Sequence, residues 1–276
     1  MKEFWKYSFH DTRDFVATFD ELPLWSAPFG MMLLKHLPLE RYETIVDIGC
    51  GAGFPLFELA ERFGPDCKVY GVDPWLNAIE RAKQKRVSYG ADNVILVERS
   101  AEQLPFTDGS VDLIVSNLGI NNFDEPAIVF NECKRVLKPA GRLAITTNLD
   151  GHWKLFYSIF EQTLNQANHE ELIPALLKQQ EHRGTVQSVA QLFTDAGLTV
   201  TGCIEDSFEM RFLDGTAFLN HHFVKLGWLS SWQKLVPEND WPKVFPLLEE
   251  NLNKYAADKG GLVLTVPMAF IEGEKH

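Results

Sequence analysis

The sequence predicts an α/β fold built on a doubly wound, mostly parallel seven-stranded sheet. Three observations carry that expectation. Short apolar strands alternate with helical segments between residues 44 and 150, and that alternation implies parallel pairing with helices on both faces. The stretch Thr44 to Gly53, TIVDIGCGAG, runs from a strand into a glycine-rich turn with a helical pattern directly after it. Polar residues gather just beyond the strand ends, where ligands bind in open sheets of this kind.

The first strand closes on Asp47, and Gly49, Cys50, Gly51 and Gly53 form the turn. Glycine permits positive φ and lets a ligand approach the backbone. Pro55 suits the first helical turn, and Leu56, Leu59, Ala60 and Phe63 share one helical face. The helix start would aim unpaired N–H groups and partial positive charge at an anionic group held by the turn. A second strand, Lys68 to Pro74, carries Asp73 twenty residues after Gly53, where an acid accepts both hydroxyls of a ribose. A third begins at Val94 and leaves Ala101 and Glu102 just past its end. The fourth, Val111 to Asn117, ends on Ser116 and Asn117, and the fifth spans Gly141 to Thr147.

Beyond residue 150 the pattern changes. Residues 151–184 have helical periodicity, Gln187 to Gly197 reads as a helix, and Leu198 to Ile204 as a sixth strand. Residues 208–258 hold three of the seven tryptophans, Trp228, Trp232 and Trp241. The last strand, Gly261 to Ile271, contains Pro267, which suits an edge or a bulge. The expected organisation is an N-terminal helical segment (1–43), a core (44–150), an insertion (151–184), a sixth-strand unit (185–207), an aromatic-rich insertion (208–258) and a final strand (259–276).

Composition excludes several classes. The formal charge of −12, from 26 basic against 38 acidic residues, argues against a nucleic-acid partner; the basic run Arg81 to Arg86 reads as a solvated helix face. No apolar run is long enough for a membrane span, and the charged N-terminal stretch is unlike a signal peptide. The four cysteines, 50, 67, 133 and 203, form no CxxC pair, so no metal site is expected. Reduced thiols fit a cytoplasmic location.

The ordered set DIGCGAG (47–53), GVDP (71–74), SAEQLPF (100–106), VDLIVSNLGINNF (111–123) and CKRVLKPAGRL (133–143) resembles the class I S-adenosylmethionine-dependent methyltransferases. The likeness is nearest to their quinone-biosynthesis C-methyltransferase branch and its small-molecule relatives. The resemblance implies a Rossmann-like methyltransferase fold with helical cap insertions and S-adenosyl-L-methionine as cofactor. The chain departs from the branch at Ile120-Asn121-Asn122, where an Arg-Asn pair is usual, and at Ala140, where Gly is usual.

On that resemblance the turn would bind the donor's carboxylate, Asp47 its ammonium, Asp73 its ribose, Pro74 and Trp75 the faces of its adenine, and Ala101 with Glu102 the adenine edge. Ser116 and Asn117 would touch its methionine part or the acceptor. N-terminal segments fold over the cofactor in this family, so Trp25 and Phe29 would line the acceptor pocket, with Trp228 from the cap; the equal alternative for Trp25 and Phe29 is that they anchor a helix on the core. The in-line displacement needs a base only if the acceptor must lose a proton; His152, His221 and His222 are the candidates. The expected acceptor is a small, partly apolar molecule. A protein or RNA acceptor is one alternative, and a non-catalytic donor-binding protein another. The competing reading of the cap's apolar surface is a homodimer interface.

Overall fold

The computed structural model describes every residue except Met1, Lys2, Glu21, Pro23 and His182, together with the side chain of Glu181. Two of these, Glu21 and Pro23, fall in the Pro- and aromatic-rich stretch at 20–30.

The chain opens with α1 (Arg13–Asp20) and α2 (Ser26–His36). There follow β1 (Thr44–Ile48), α3 (Leu56–Phe63), β2 (Lys68–Asp73), α4 (Leu76–Tyr89) and β3 (Val94–Glu98). Next come β4 (Val111–Asn117), α5 (Pro126–Val136), β5 (Leu137–Asn148), α6 (Lys154–Gln166), α7 (Ile173–Glu181) and α8 (Val186–Asp195). The order closes with β6 (Thr199–Phe212), α9 (Gly215–Asn220), α10 (His222–Val224), α11 (Ser230–Leu235), α12 (Trp241–Lys259) and β7 (Leu262–Glu274).

Two compact units result. The sheet unit holds Asp11–Asn148, Gly184–Asp206 and Met268–His276; the helical unit holds Met1–His10, Leu149–Arg183 and Ser207–Pro267. Residues 1–10 thus group with the two insertions, apart from the rest of the 1–43 segment.

The sheet has seven strands in the order β3-β2-β1-β4-β5-β7-β6. The pairs β1–β2, β1–β4, β2–β3 and β4–β5 are parallel, and β5–β7 is antiparallel. Strands β1 and β4 are buried almost throughout, as parallel strands covered on both faces must be. The strand order reverses between β1 and β4, the switch point at which a crevice opens above the carboxyl ends. One expectation fails: β7 is not an edge, since it lies between β5 and β6. The β5 register ends at Met268, and the next residue, Leu149, still donates its N–H to the Pro267 carbonyl at 3.0 Å; the ladder stops there because Pro267 has no N–H to return. Strand β6 is much longer than its expected Leu198 to Ile204 core and takes the first residues of the aromatic-rich insertion.

The helical unit has its own core. Trp153 meets Phe218 edge-on at 5.1 Å, and Phe156 lies against Trp232 at 4.7 Å. A partly buried polar clasp joins α9 to α12: the Thr216 hydroxyl donates to Glu249 at 2.6 Å, and Asn253 both donates to that hydroxyl and accepts from the Thr216 N–H. No helix among the described residues is long and apolar enough to cross a membrane.

Candidate functional site

The turn after β1 is held from the neighbouring strand. Gly49 N–H donates to the Val72 carbonyl at 2.8 Å, which extends the β1–β2 ladder into the turn. Gly51 then sits at φ +51 with nothing within 4 Å of where a Cβ would stand. Asp73, at the end of β2, accepts Gly51 N–H on one carboxylate oxygen and Trp75 N–H on the other, each at 2.8 Å. One aspartate therefore shapes the glycine turn and starts α4. Burial lifts its carboxyl above the usual range, against the pull of the two N–H donors. Each oxygen keeps a lone-pair direction beyond the backbone bond, and the side chain retains slight exposure (9 %).

Asp47 behaves differently from the expectation. Its side chain has no exposed surface (0 %), because β1 is central and the turn closes over its end. Neither oxygen has a hydrogen-bond partner of normal geometry. Burial first, then the Asp73 charge, push its carboxyl well above the ordinary range, and the Leu56 N–H at the start of α3 only partly offsets this. It lies beneath the turn with neither carboxylate oxygen exposed.

Ser116 and Asn117 are also committed inside the protein. Ser116, fully buried, donates its hydroxyl to the Ile48 carbonyl at 2.8 Å. Asn117 accepts from the Thr146 hydroxyl at 2.8 Å and donates to the Ser26 carbonyl at the start of α2. Both tie strand ends and α2 together. The neighbouring Asn121 joins the same end of the sheet, accepting from Thr147 at 2.9 Å and donating to Asn148 at 2.8 Å. Sequence reasoning assigned no role to this Thr146-Thr147-Asn148 cluster; the three polar residues closing an otherwise apolar strand were its signal.

The N-terminal segment does reach the turn. Gly30 in α2 lies so close to the Phe54 ring that a Cβ there would collide with it. Phe29 is fully buried, and Trp25 packs on it with ring centres 5.5 Å apart. Phe29 is thus core, while Trp25 keeps partial exposure. Pro74 is exposed, and Trp75 is braced by α1: its Nε1–H donates to Asp11 at 3.0 Å, and the Phe15 and Phe19 rings flank it. The basic run is not simply solvated, since Arg81 and Lys85 both bind Asp20 at the end of α1, at 3.0 and 2.8 Å.

Ala101 is buried, and Glu102 beside it is partly exposed. Their loop is fixed from α5. Arg135 donates to the carbonyls of Leu104 and Phe106 and pairs with Asp108 and Glu132, while Glu132 accepts the Leu104 N–H.

The three histidines and Trp228 belong to the helical unit. His152 stacks on Trp153 at 4.4 Å and on Trp228 at 5.7 Å, so both are core aromatics there. His221 and His222 do not share a helix: His221 has extended backbone (ψ 128) and separates α9 from α10. His222 meets Tyr7 edge-on at 6.0 Å. Burial holds all three imidazoles below their usual range, His152 most strongly.

The thiols offer no joint site. Cys50, Cys67 and Cys133 are buried and Cys203 is exposed; burial pushes Cys67 up to about 11 and Cys50 and Cys133 up as well. No group of residues suited to a metal ion occurs among the described residues.

A glycine turn latched by an acid from the next strand, at the switch point of a doubly wound sheet, defines a Rossmann-like nucleotide-cofactor protein. Residues 39–200 match the family described as Methyltransferase domain. The chain belongs to that family, in the class I S-adenosylmethionine-dependent group. It is 39 % identical over 104 residues to the arsenite methyltransferase of Halobacterium salinarum, covering 38 % of this chain and 27 % of that one. It is 33 % identical over 132 residues to the demethylmenaquinone methyltransferase of Geobacillus stearothermophilus, covering 46 % of this chain and 56 % of that one. The chain thus spans about half or less of the length of these curated relatives. A solved SAM-dependent methyltransferase from Aquifex aeolicus shares the fold, with a TM-score of 0.54 and 23 % identity over 71 % of this chain and 93 % of that one.

Proposed function

We propose that the chain transfers a methyl group from S-adenosylmethionine to a small, partly apolar acceptor by in-line displacement. The observation that carries this is the Gly51–Asp73 latch, with open space at Gly51 and lone pairs left on Asp73. These residues fit the donor: the turn's N–H groups suit a carboxylate, Asp73 suits ribose hydroxyls, and Ala101 with Glu102 stands where an adenine edge is read. When bound, S-adenosylmethionine supplies a methyl group already activated on a sulfonium. The protein's share is therefore positioning and the exclusion of water. The histidines of the helical unit are held neutral by burial, the form in which an imidazole accepts a proton if the acceptor must lose one.

The relatives suggest two acceptors by name. Arsenite chemistry needs convergent thiolates, and the buried, protonated cysteines here disfavour it. An apolar organic acceptor fits the aromatic helical unit better. The test is S-adenosylhomocysteine release with a panel of apolar and aromatic acceptors, beside calorimetry with S-adenosylhomocysteine. Turnover with at least one small acceptor supports the proposal. Donor binding with no turnover across the panel, protein and RNA included, favours a non-catalytic role, and absence of donor binding overturns the reading.

A further inference from the structure

A cavity of about 290 Å³ lies between α3 and α4, beside the glycine turn and within the sheet unit. Helical spacing builds its walls. Phe57 and Glu61 stand four residues apart on α3, as Lys85 and Tyr89 do on α4, so each pair shares one helical face. The Phe57 and Tyr89 rings meet edge-on across the two helices, with centres 5.3 Å apart. Gly53 lets them approach the turn: at φ +103, a Cβ there would collide with the Phe57 ring. Among the described residues, Gly53 is the one member of the proposed donor site that also lines this cavity.

The lining selects a cation with an apolar body. Phe54, Phe57 and Tyr89 supply aromatic surface, and the face of such a ring attracts positive charge. The protein's own cation already uses this attraction, since Lys85 Nζ lies 5.7 Å from the centre of the Phe57 ring. That ammonium is matched by Asp20 at 2.8 Å, and Arg62 is matched by Glu58 at 3.3 Å. With those two pairs set aside, the exposed Glu61 leaves the cavity with negative charge. The chain's formal −12 has the same sign. An anion would be repelled here, and a neutral body would gain nothing from the carboxylate. The volume lies near the lower end of small-ligand pockets, about 300 Å³, which limits the occupant to a small molecule.

We propose that this cavity is a binding site for a small organic ammonium of about trimethylammonium size, held by the Phe57 and Tyr89 rings and by Glu61. The site goes beyond the methyl-transfer reading and does not depend on it.

The test uses the full chain with choline and its neutral isostere 3,3-dimethylbutan-1-ol, each titrated by saturation-transfer NMR. Choline should bind about tenfold more tightly than the alcohol, the combined scale of a cation–π contact and a nearby carboxylate. Glu61→Gln should shrink that preference to below about threefold, and Tyr89→Ala should weaken choline binding about fivefold. Both side chains are exposed, so both variants should fold. Saturating S-adenosylhomocysteine should leave choline bound, because Gly51 and Asp73 lie outside the cavity lining. No choline binding, equal binding of choline and the alcohol, or binding unchanged in both variants overturns the site. Displacement of choline by S-adenosylhomocysteine also overturns it, by making the cavity part of the donor site. Failure of S-adenosylhomocysteine itself to bind counts against the methyltransferase reading and leaves the ammonium site standing on the choline titrations.

Discussion

On the proposed function, single residues divide into those that would meet the donor and those that shape the turn. Gly51→Val places a branched side chain at φ +51 in the open space beside the turn. Calorimetry should find S-adenosylhomocysteine binding lost in a folded protein; unchanged affinity would remove the turn from the donor site. Asp73 needs two variants, because it holds the turn as well as being proposed to hold the ribose. Asp73→Asn keeps one acceptor oxygen and should weaken donor binding about tenfold, whereas Asp73→Ala frees the turn and should weaken it about a hundredfold. Equal small losses for both would mean that the ribose is held elsewhere. Ala140 sits at φ 60, the conformation for which glycine is usual at that place. Ala140→Gly should raise the urea midpoint by an amount equivalent to about 0.5–1 kcal/mol, the left-handed strain less the extra unfolded-chain entropy. Asp73 was legible from its distance to the glycines, since spacing fixes which strand end it closes. The sealing of Asp47 and the internal bonds of Ser116 and Asn117 were not. Motif spacing places a residue at a strand end but does not say whether neighbouring chain closes over it.

At the scale of elements, the loop bearing Ala101 and Glu102 depends on one arginine of α5. Arg135→Ala removes donors to two loop carbonyls and the partner of Glu132. Donor affinity should fall several-fold and stability by about 1–3 kcal/mol, measured by urea unfolding; an unchanged affinity would show that this loop does not meet the donor. The strands β1, β2 and β4 were readable almost to the residue, because apolar runs covered on both faces leave little ambiguity. The place of β7 was not readable. A proline argues against a central strand only where the ladder needs its N–H, and that depends on the register with β5. The grip of Asp20 on Arg81 and Lys85 was hidden too, since their sequence distance carries no sign of contact.

For the whole molecule, burial gives stability a two-sided dependence on pH. The three histidines titrate below their ordinary value in the fold, so their contribution is present above about pH 6.5 and is lost as pH falls below it. Asp47 runs the other way: its raised folded value favours the fold at low pH and withdraws support as pH rises from about 4. Asp47→Asn should therefore stabilise the chain at pH 8 and do little at pH 4, as judged by urea midpoints; an equal effect at both would mean that no charge is carried there. The interposition of β7 between β5 and β6 bears on how the chain is made. Growing from its N-terminus, the protein presents β5 with an open edge for as long as synthesis takes to pass from residue 148 to 274. At about 5–20 residues per second that is on the order of ten seconds. Through that interval a bare row of backbone donors and acceptors invites pairing with other nascent chains. The ribosome-bound protein is therefore the form in which a chaperone matters most, and any nonsense lesion before Met268 yields a sticky fragment, not a smaller folded protein.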